Sequence, residues 1–172
     1  TDAGHYQPLQ ERVSELLAGV LPEDGVNVLD IGCGEGYYTH HVAQRLAEKG
    51  DARVYGLDVA KIAVRAGAKR YHNVAFCVAS SHRLPFSDSL FDAVLRIYAP
   101  CKAQELARVV KSQGYVLTVT PGPRHLMQYK ALIYQDVQLH DTTPEKMPGF
   151  TLVQQEQLTY PMVLNSEESG AL

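Results

Sequence analysis

A chain of 172 residues fits one domain with room for a substantial core, and its 45% hydrophobic and 20% charged content is that of an ordinary globular protein, not of a disordered one. No apolar run approaches the ~20 residues of a membrane-spanning helix, and no signal peptide is evident. The formal charge of −3 excludes a nucleic-acid binder that relies on its whole surface, so a local patch or a further segment would have to supply phosphate contacts.

Residues 9–20 place Leu9, Val13, Leu16, Leu17 and Val20 on one face of a leading helix. Residues 26–31 form the first strand, which runs into Asp30 and then Gly32, Gly34 and Gly36 at alternate positions. A helix follows over 37–49. Strand two spans 52–57 and ends at Asp58; a helix carrying Ile62, Val64, Ala66 and Ala68 comes next. Residues 74–79, 91–97 and 115–120 read as strands three to five, with a helix at 102–110 between the last two. Residues 123–134 read as a helix, 135–149 as a loop with Pro144 and Pro148, and 150–164 as a long strand or bent hairpin arm. Strand and helix alternating without a linker, with strands apolar almost throughout, mean an α/β, doubly wound, mostly parallel sheet covered on both faces. Ligands of such a sheet bind at the carboxyl ends of the strands.

The segment Val28-Leu-Asp-Ile-Gly-Cys-Gly-Glu-Gly-Tyr-Tyr-Thr39 is the most informative. Glycines after a strand let the backbone turn tightly and bring a ligand against amide N–H groups at a helix start. The spacing is G-x-G-x-G, not the G-x-G-x-x-G of dinucleotide sites. Asp30 places a carboxylate where a pyrophosphate would be repelled, so a cationic ligand suits the turn better. Asp58 falls about 20 residues on, where a carboxylate binds ribose hydroxyls. Taken singly, the glycines also read as turn residues and the two aspartates as helix caps. Cys33, Cys77 and Cys101 are odd in number and far apart, which points to reduced thiols in a cytoplasmic protein and to neither a disulfide framework nor a zinc site.

The glycine segment resembles motif I of the class I S-adenosylmethionine-dependent methyltransferases, whose cofactor carries a sulfonium and an ammonium but no phosphate. Further stretches, Gly4-His-Tyr6, Val78-Ala-Ser-Ser-His-Arg-Leu-Pro-Phe86, Arg96-Ile-Tyr-Ala-Pro-Cys-Lys102 and Pro121-Gly-Pro-Arg-His-Leu-Met127, are similar to the 23S ribosomal RNA (guanine-N1)-methyltransferase family. The resemblance implies a Rossmann-like fold, S-adenosyl-L-methionine as cofactor, large-subunit ribosomal RNA as substrate, and no membrane. It implies cofactor contacts from Tyr6, Asp30, Gly32, Gly34, Glu35, Gly36, Tyr38, Thr39, Asp58, Ser80, Ser81 and His125. Ser80 stands where many class I enzymes place an aspartate for the adenine amino group. Tyr98, at the end of strand four, is placed to stack on the acceptor base, and His5, also expected in a loop near the transferred methyl, is a candidate to accept the guanine proton.

Relatives in that family open with a zinc module that grips RNA; no such cysteine cluster is present, so no metal is expected here. The antiparallel seventh strand of class I enzymes has no candidate in the sequence. With Thr1 at the start, this suggests a single domain over 1–172 cut from a longer protein at both ends, with a homodimer left open. Lys61, Arg65 and Lys69 recur at helical spacing, as a phosphate stripe or a solvated face. Arg83, Arg96, Lys102 and Arg124 are better placed to meet an RNA backbone, and Cys101 has no base fixed beside it. His40, His41 and His72 read as packing or capping side chains. A small-molecule methyltransferase, a nicotinamide-dependent dehydrogenase and a non-catalytic cofactor-binding segment stay open as alternatives.

Overall fold

A computed structural model describes residues 3–121, 128–137 and 147–159, with the side chains of residues 8–120, 129–137 and 147–158. Eleven elements follow in order: α1 (Ala3–Val20), β1 (Val26–Ile31), α2 (Tyr37–Ala47), β2 (Ala52–Asp58), α3 (Lys61–Arg70), β3 (Ala75–Val78), β4 (Phe91–Ile97), α4 (Ala103–Val109), β5 (Val110–Pro121), β6 (Gln128–Asp136) and β7 (Phe150–Thr159). The strands make one sheet in the order β3-β2-β1-β4-β5-β6-β7. Pairings from β3 to β5 are parallel and the two involving β6 are antiparallel. The order reverses between β1 and β4, which opens a crevice at their carboxyl ends.

Alternation along each strand divides the core in two. Val26 and Val28 of β1, with Ala93 and Leu95 of β4, pack under α1 and α2 against Leu9, Val13, Leu17, Val42 and Leu46. Leu29 and Ile31 face the other way, with Val94, Val116 and α4's Leu106 and Val109. Asp30 shares the face of Val28 and is therefore carried into the α1/α2 layer, where it is buried. No helix among the described residues is long and apolar enough to cross a membrane.

Three expectations are corrected. Residues 128–136 form the strand β6, not the end of a helix: Tyr129, Ala131 and Ile133 are buried and Lys130 is exposed, a period of two that fits the sheet. An antiparallel strand does lie against β5; it is β6, and the sheet has seven strands rather than lacking one. The leading helix begins at Ala3, so Gly4, His5 and Tyr6 belong to α1 and not to a loop before it. Elsewhere the differences are at ends: α2 stops at Ala47, β3 is confined to Ala75–Val78, and β5 starts at Val110, beyond a register shift opposite Phe91 and Ala93.

Candidate active site

The β1–α2 turn is closed by backbone bonds that only a kinked chain can make. Gly32 and Cys33 both donate their N–H groups to the Leu57 carbonyl, at 2.8 and 3.0 Å. Gly32 has φ +75°, and a Cβ there would lie 2.7 Å from the Ala99 Cβ on the loop after β4. Gly34, at φ +58°, has nothing within 4 Å of its would-be Cβ, so open space lies before it. Gly36 packs its backbone on the Phe76 ring and caps α2.

Asp58, at the end of β2, holds that turn in place. Its Oδ2 accepts the Gly34 N–H at 2.8 Å and its Oδ1 the Ala60 N–H at 3.0 Å. A carboxylate offers about four lone-pair sites, so each oxygen retains capacity toward the cleft that Asp58 lines. Asp30 lies behind the turn, 3% exposed, and accepts the Thr39 hydroxyl at 2.6 Å. Burial pushes its carboxyl up to about 7; the Thr39 hydrogen bond opposes this and the Asp58 charge adds to it. A cation brought close would restore the ionised form.

The cleft occupies about 390 Å³ and is bounded by Gly32, Asp58, Val59, Ser80, Ser81, His82 and Tyr98, among others. That volume lies within the range of small-molecule sites. Ser81 donates its hydroxyl to the Pro100 carbonyl at 2.9 Å, tying the loop after β3 to the loop after β4. Ser80 Oγ accepts the His82 N–H at 3.1 Å. Val59 is 68% exposed at the cleft, an apolar side chain mostly without protein cover.

Tyr98 follows β4 with φ +58°, a conformation that costs a non-glycine residue about 1–3 kcal/mol and persists only where surroundings impose it. Its N–H donates to the Val119 carbonyl at 3.0 Å, and its ring, half exposed, stacks on Tyr129 of β6 at 6.2 Å and 29°. Next to it, Arg96 is half buried. Its Nε donates to Thr118 Oγ1 at 2.9 Å and another guanidinium nitrogen approaches Met147 Sδ at 3.2 Å. Burial lowers its pKa, and no carboxylate pairs with it among the described residues.

Of the residues anticipated from sequence, Gly32, Asp58, Ser80, Ser81 and Tyr98 are thus brought together at one cleft. Asp30, Gly34 and Thr39 support it from behind through the bonds above. Glu35 is exposed on the turn, and Tyr38 is half buried against the α1 layer, away from the cleft lining. The side chains of His5 and Tyr6, and all of His125, lie outside the described residues. Cys101 gives its thiol to the Ser81 carbonyl at 3.4 Å; burial pushes it up to about 11, offset in part by Arg96, so it is no nucleophile. Among the described residues no three of His, Cys, Asp and Glu converge as metal ligands. Sequence reasoning missed Val59, His82, Ala99 and Tyr129. An apolar residue directly after the acidic end of β2 was a usable signal for Val59; Tyr129 had none once its strand was read as a helix.

Comparison with known proteins accords with this geometry. The family profile described as a methyltransferase domain matches residues 22–165. The chain is 34% identical, over 98% of its length and 61% of the relative's, to a 23S rRNA (guanine(748)-N(1))-methyltransferase of Streptomyces fradiae. It is 30% identical, over 78% of its length and 48% of the relative's, to a Bacillus subtilis protein to which a 23S rRNA (guanine-N1)-methyltransferase activity is ascribed by inference. The chain therefore spans about half to three fifths of the length of these relatives. Among solved structures, an S-adenosylmethionine-dependent methyltransferase from Methanosarcina mazei superposes with a TM-score of 0.52 at 27% identity, covering 62% of this chain and 57% of that one.

Proposed function

The chain belongs to the methyltransferase family whose domain profile it matches, and on that premise we propose that it uses S-adenosylmethionine to methylate N1 of a guanine in 23S ribosomal RNA. The observation that carries the reading is Tyr98: an aromatic face, half exposed, at the carboxyl end of β4 in the same cleft as Asp58. The names of the relatives support the acceptor.

The residues present fit the cofactor. A buried carboxyl raised by desolvation, with one hydroxyl on it, is stabilised as an anion by a nearby positive charge. Asp58 retains acceptor capacity for ribose hydroxyls, and Val59 offers an uncovered apolar surface to a purine. Ser80 and Ser81 supply hydroxyls at the far wall. When bound, S-adenosylmethionine supplies a methyl carbon activated by its sulfonium, which departs as a neutral thioether.

This chain contributes position and proton handling. Tyr98, half exposed and stacked on Tyr129, receives the guanine by stacking and so sets N1 in line with the methyl; stacking of this kind is worth about 1–3 kcal/mol per base. Positioning supplies much of the rate of an in-line displacement. The N1 proton, with a solution pKa of about nine, must leave, and a positioned carboxylate, imidazole or tyrosine assists as general base. His5 is one candidate for that role, and Tyr6 and His125 are proposed to contact the cofactor on the strength of their motifs. No metal enters the scheme.

Calorimetric titration with S-adenosylmethionine and S-adenosylhomocysteine tests the cofactor half of this reading. Incubation with unmodified 23S rRNA, nuclease digestion and mass spectrometry test the acceptor half. Appearance of 1-methylguanosine supports it. Cofactor binding with methyl transfer to no nucleoside would turn the reading to a small-molecule acceptor.

A further inference from the structure

We propose that the sheet edge formed by α3 and β3 is a docking surface for the phosphodiester backbone of the RNA substrate, continuous with the cofactor cleft; this rests on the RNA reading above. Between Asp58 and Asp88 no Asp or Glu occurs, while Lys61, Arg65, Lys69, Arg70 and Arg83 do. The chain's −3 therefore divides into +5 on these 29 residues and −8 on the remainder. Such a division is invisible in the net charge, and it offers a polyanion one cationic face on an otherwise repelling molecule.

The structure makes the stripe a surface. Val64 and Gly67 turn α3 inward, which leaves Lys61, Arg65 and Lys69 on the solvent side. Spaced four residues apart, they rise in steps of about 6 Å and span about 12 Å along the helix. Among the described residues none of the three has a carboxylate within ion-pair distance, whereas Arg12, Arg45, Arg108 and Lys111 all do. A solvated helix face that serves only solubility carries both signs; α3 carries one. Ile62, 85% exposed, sits among these cations, and Val78 on the edge strand β3 is half exposed. Both offer apolar contact to sugars and bases.

Its location ties the surface to the chemistry. The amino end of α3 follows Val59, and the carboxyl end of β3 leads to Ser80, Ser81 and His82; these four line the cleft. Arg83 is exposed one residue further on. A strand lying along α3 therefore reaches the cleft mouth directly.

The test is fluorescence anisotropy of a labelled 23S rRNA hairpin, titrated with this chain from about 50 to about 200 mM salt. Two doubly charge-reversed variants are compared: Arg65→Glu with Lys69→Glu on α3, and Arg45→Glu with Arg53→Glu on α2 and β2 as a control of equal charge. The proposal expects the α3 variant to lose about tenfold in affinity near 0.1 M salt and its log–log salt slope to shrink by about 1.5. The control should retain most of its affinity, and both variants should bind S-adenosylhomocysteine as the wild type does. Equal losses in the two variants, or none in either, overturn the surface while leaving RNA binding intact. A wild-type chain that binds the adenosyl ligand but shows no salt-dependent RNA binding overturns both the surface and the RNA reading.

Discussion

The Asp58 carboxylate accepts the Gly34 backbone N–H at 2.8 Å, so that one side chain at the end of β2 clamps the glycine turn that follows β1. A side chain 24 positions away in sequence thereby fixes the turn whose Gly32 lines the cleft beside Asp58.

Asp58→Ala removes the clamp and the proposed acceptor for ribose together. We expect cofactor affinity to fall at least about tenfold, equivalent to about 1.4 kcal/mol, with a loss of stability of about 1–2 kcal/mol from the freed N–H groups. Calorimetric titration and thermal melting check the two effects. Unchanged affinity would remove Asp58 from the ribose site.

Asp30 should make both stability and cofactor binding pH-dependent. Its folded value, about 7, lies above its ordinary 3.8, so the folded state binds the proton more tightly than the unfolded state. The associated stability is present in full below about pH 4 and is lost as pH rises through 7. A melting series from pH 4 to 8 on the ligand-free protein should show this decline, and Asp30→Asn should flatten it. Binding of a cation runs oppositely, because it needs the ionised carboxylate. S-adenosylmethionine, with its sulfonium, should lose affinity below pH 7 more steeply than S-adenosylhomocysteine, approaching tenfold per pH unit. Parallel pH profiles for the two ligands would oppose a role for Asp30 opposite the sulfonium.

Replacing Tyr98 separates stacking from proton handling. Tyr98→Phe keeps the ring and should hold kcat/KM for RNA within a few-fold. Tyr98→Ala should lower it about 10- to 100-fold, the equivalent of about 1–3 kcal/mol of base stacking. Equal losses in both variants would assign the effect to the phenol, not to the platform.

Arg96→Met should cost activity but not stability. A half-buried guanidinium held by a hydroxyl and a thioether, with no counter-ion among the described residues, is a poor contributor to folding. A methionine of similar length packs against Met147 and Thr118 without that burden. We expect the melting temperature to hold or rise and RNA methylation to fall about tenfold or more. A clear drop in melting temperature would assign Arg96 a structural role.

The strands that frame the candidate cleft were legible because their determinants are local. β1 and β4 are mostly apolar, and Gly32 follows the first and Tyr98 the second, so their bounds were read to the residue. Asp58 announced itself by ending an apolar run at a telling offset from the glycines. The charge asymmetry of α3 and β3 was equally present in the sequence, although its exposure was not.

What only the tertiary structure decided is every relationship that spans distant elements. Residues 128–136 carry spacings compatible with helix or strand, and pairing with β5 and β7 together with burial of Tyr129, Ala131 and Ile133 under α1 selects the strand. The stack of Tyr98 on Tyr129 depends on that choice and on a left-handed backbone at Tyr98 that no propensity favours. Asp30 is raised because the fold buries it, and Arg96 meets no carboxylate among the described residues because its neighbours there are Thr118 and Met147. The sequence by itself determined which residue types are available at the candidate cleft, since side-chain chemistry and local periodicity are written along the chain. Burial, pKa and contact across the sheet belong to the folded molecule, because desolvation and pairing exist only once segments far apart in sequence exclude water together.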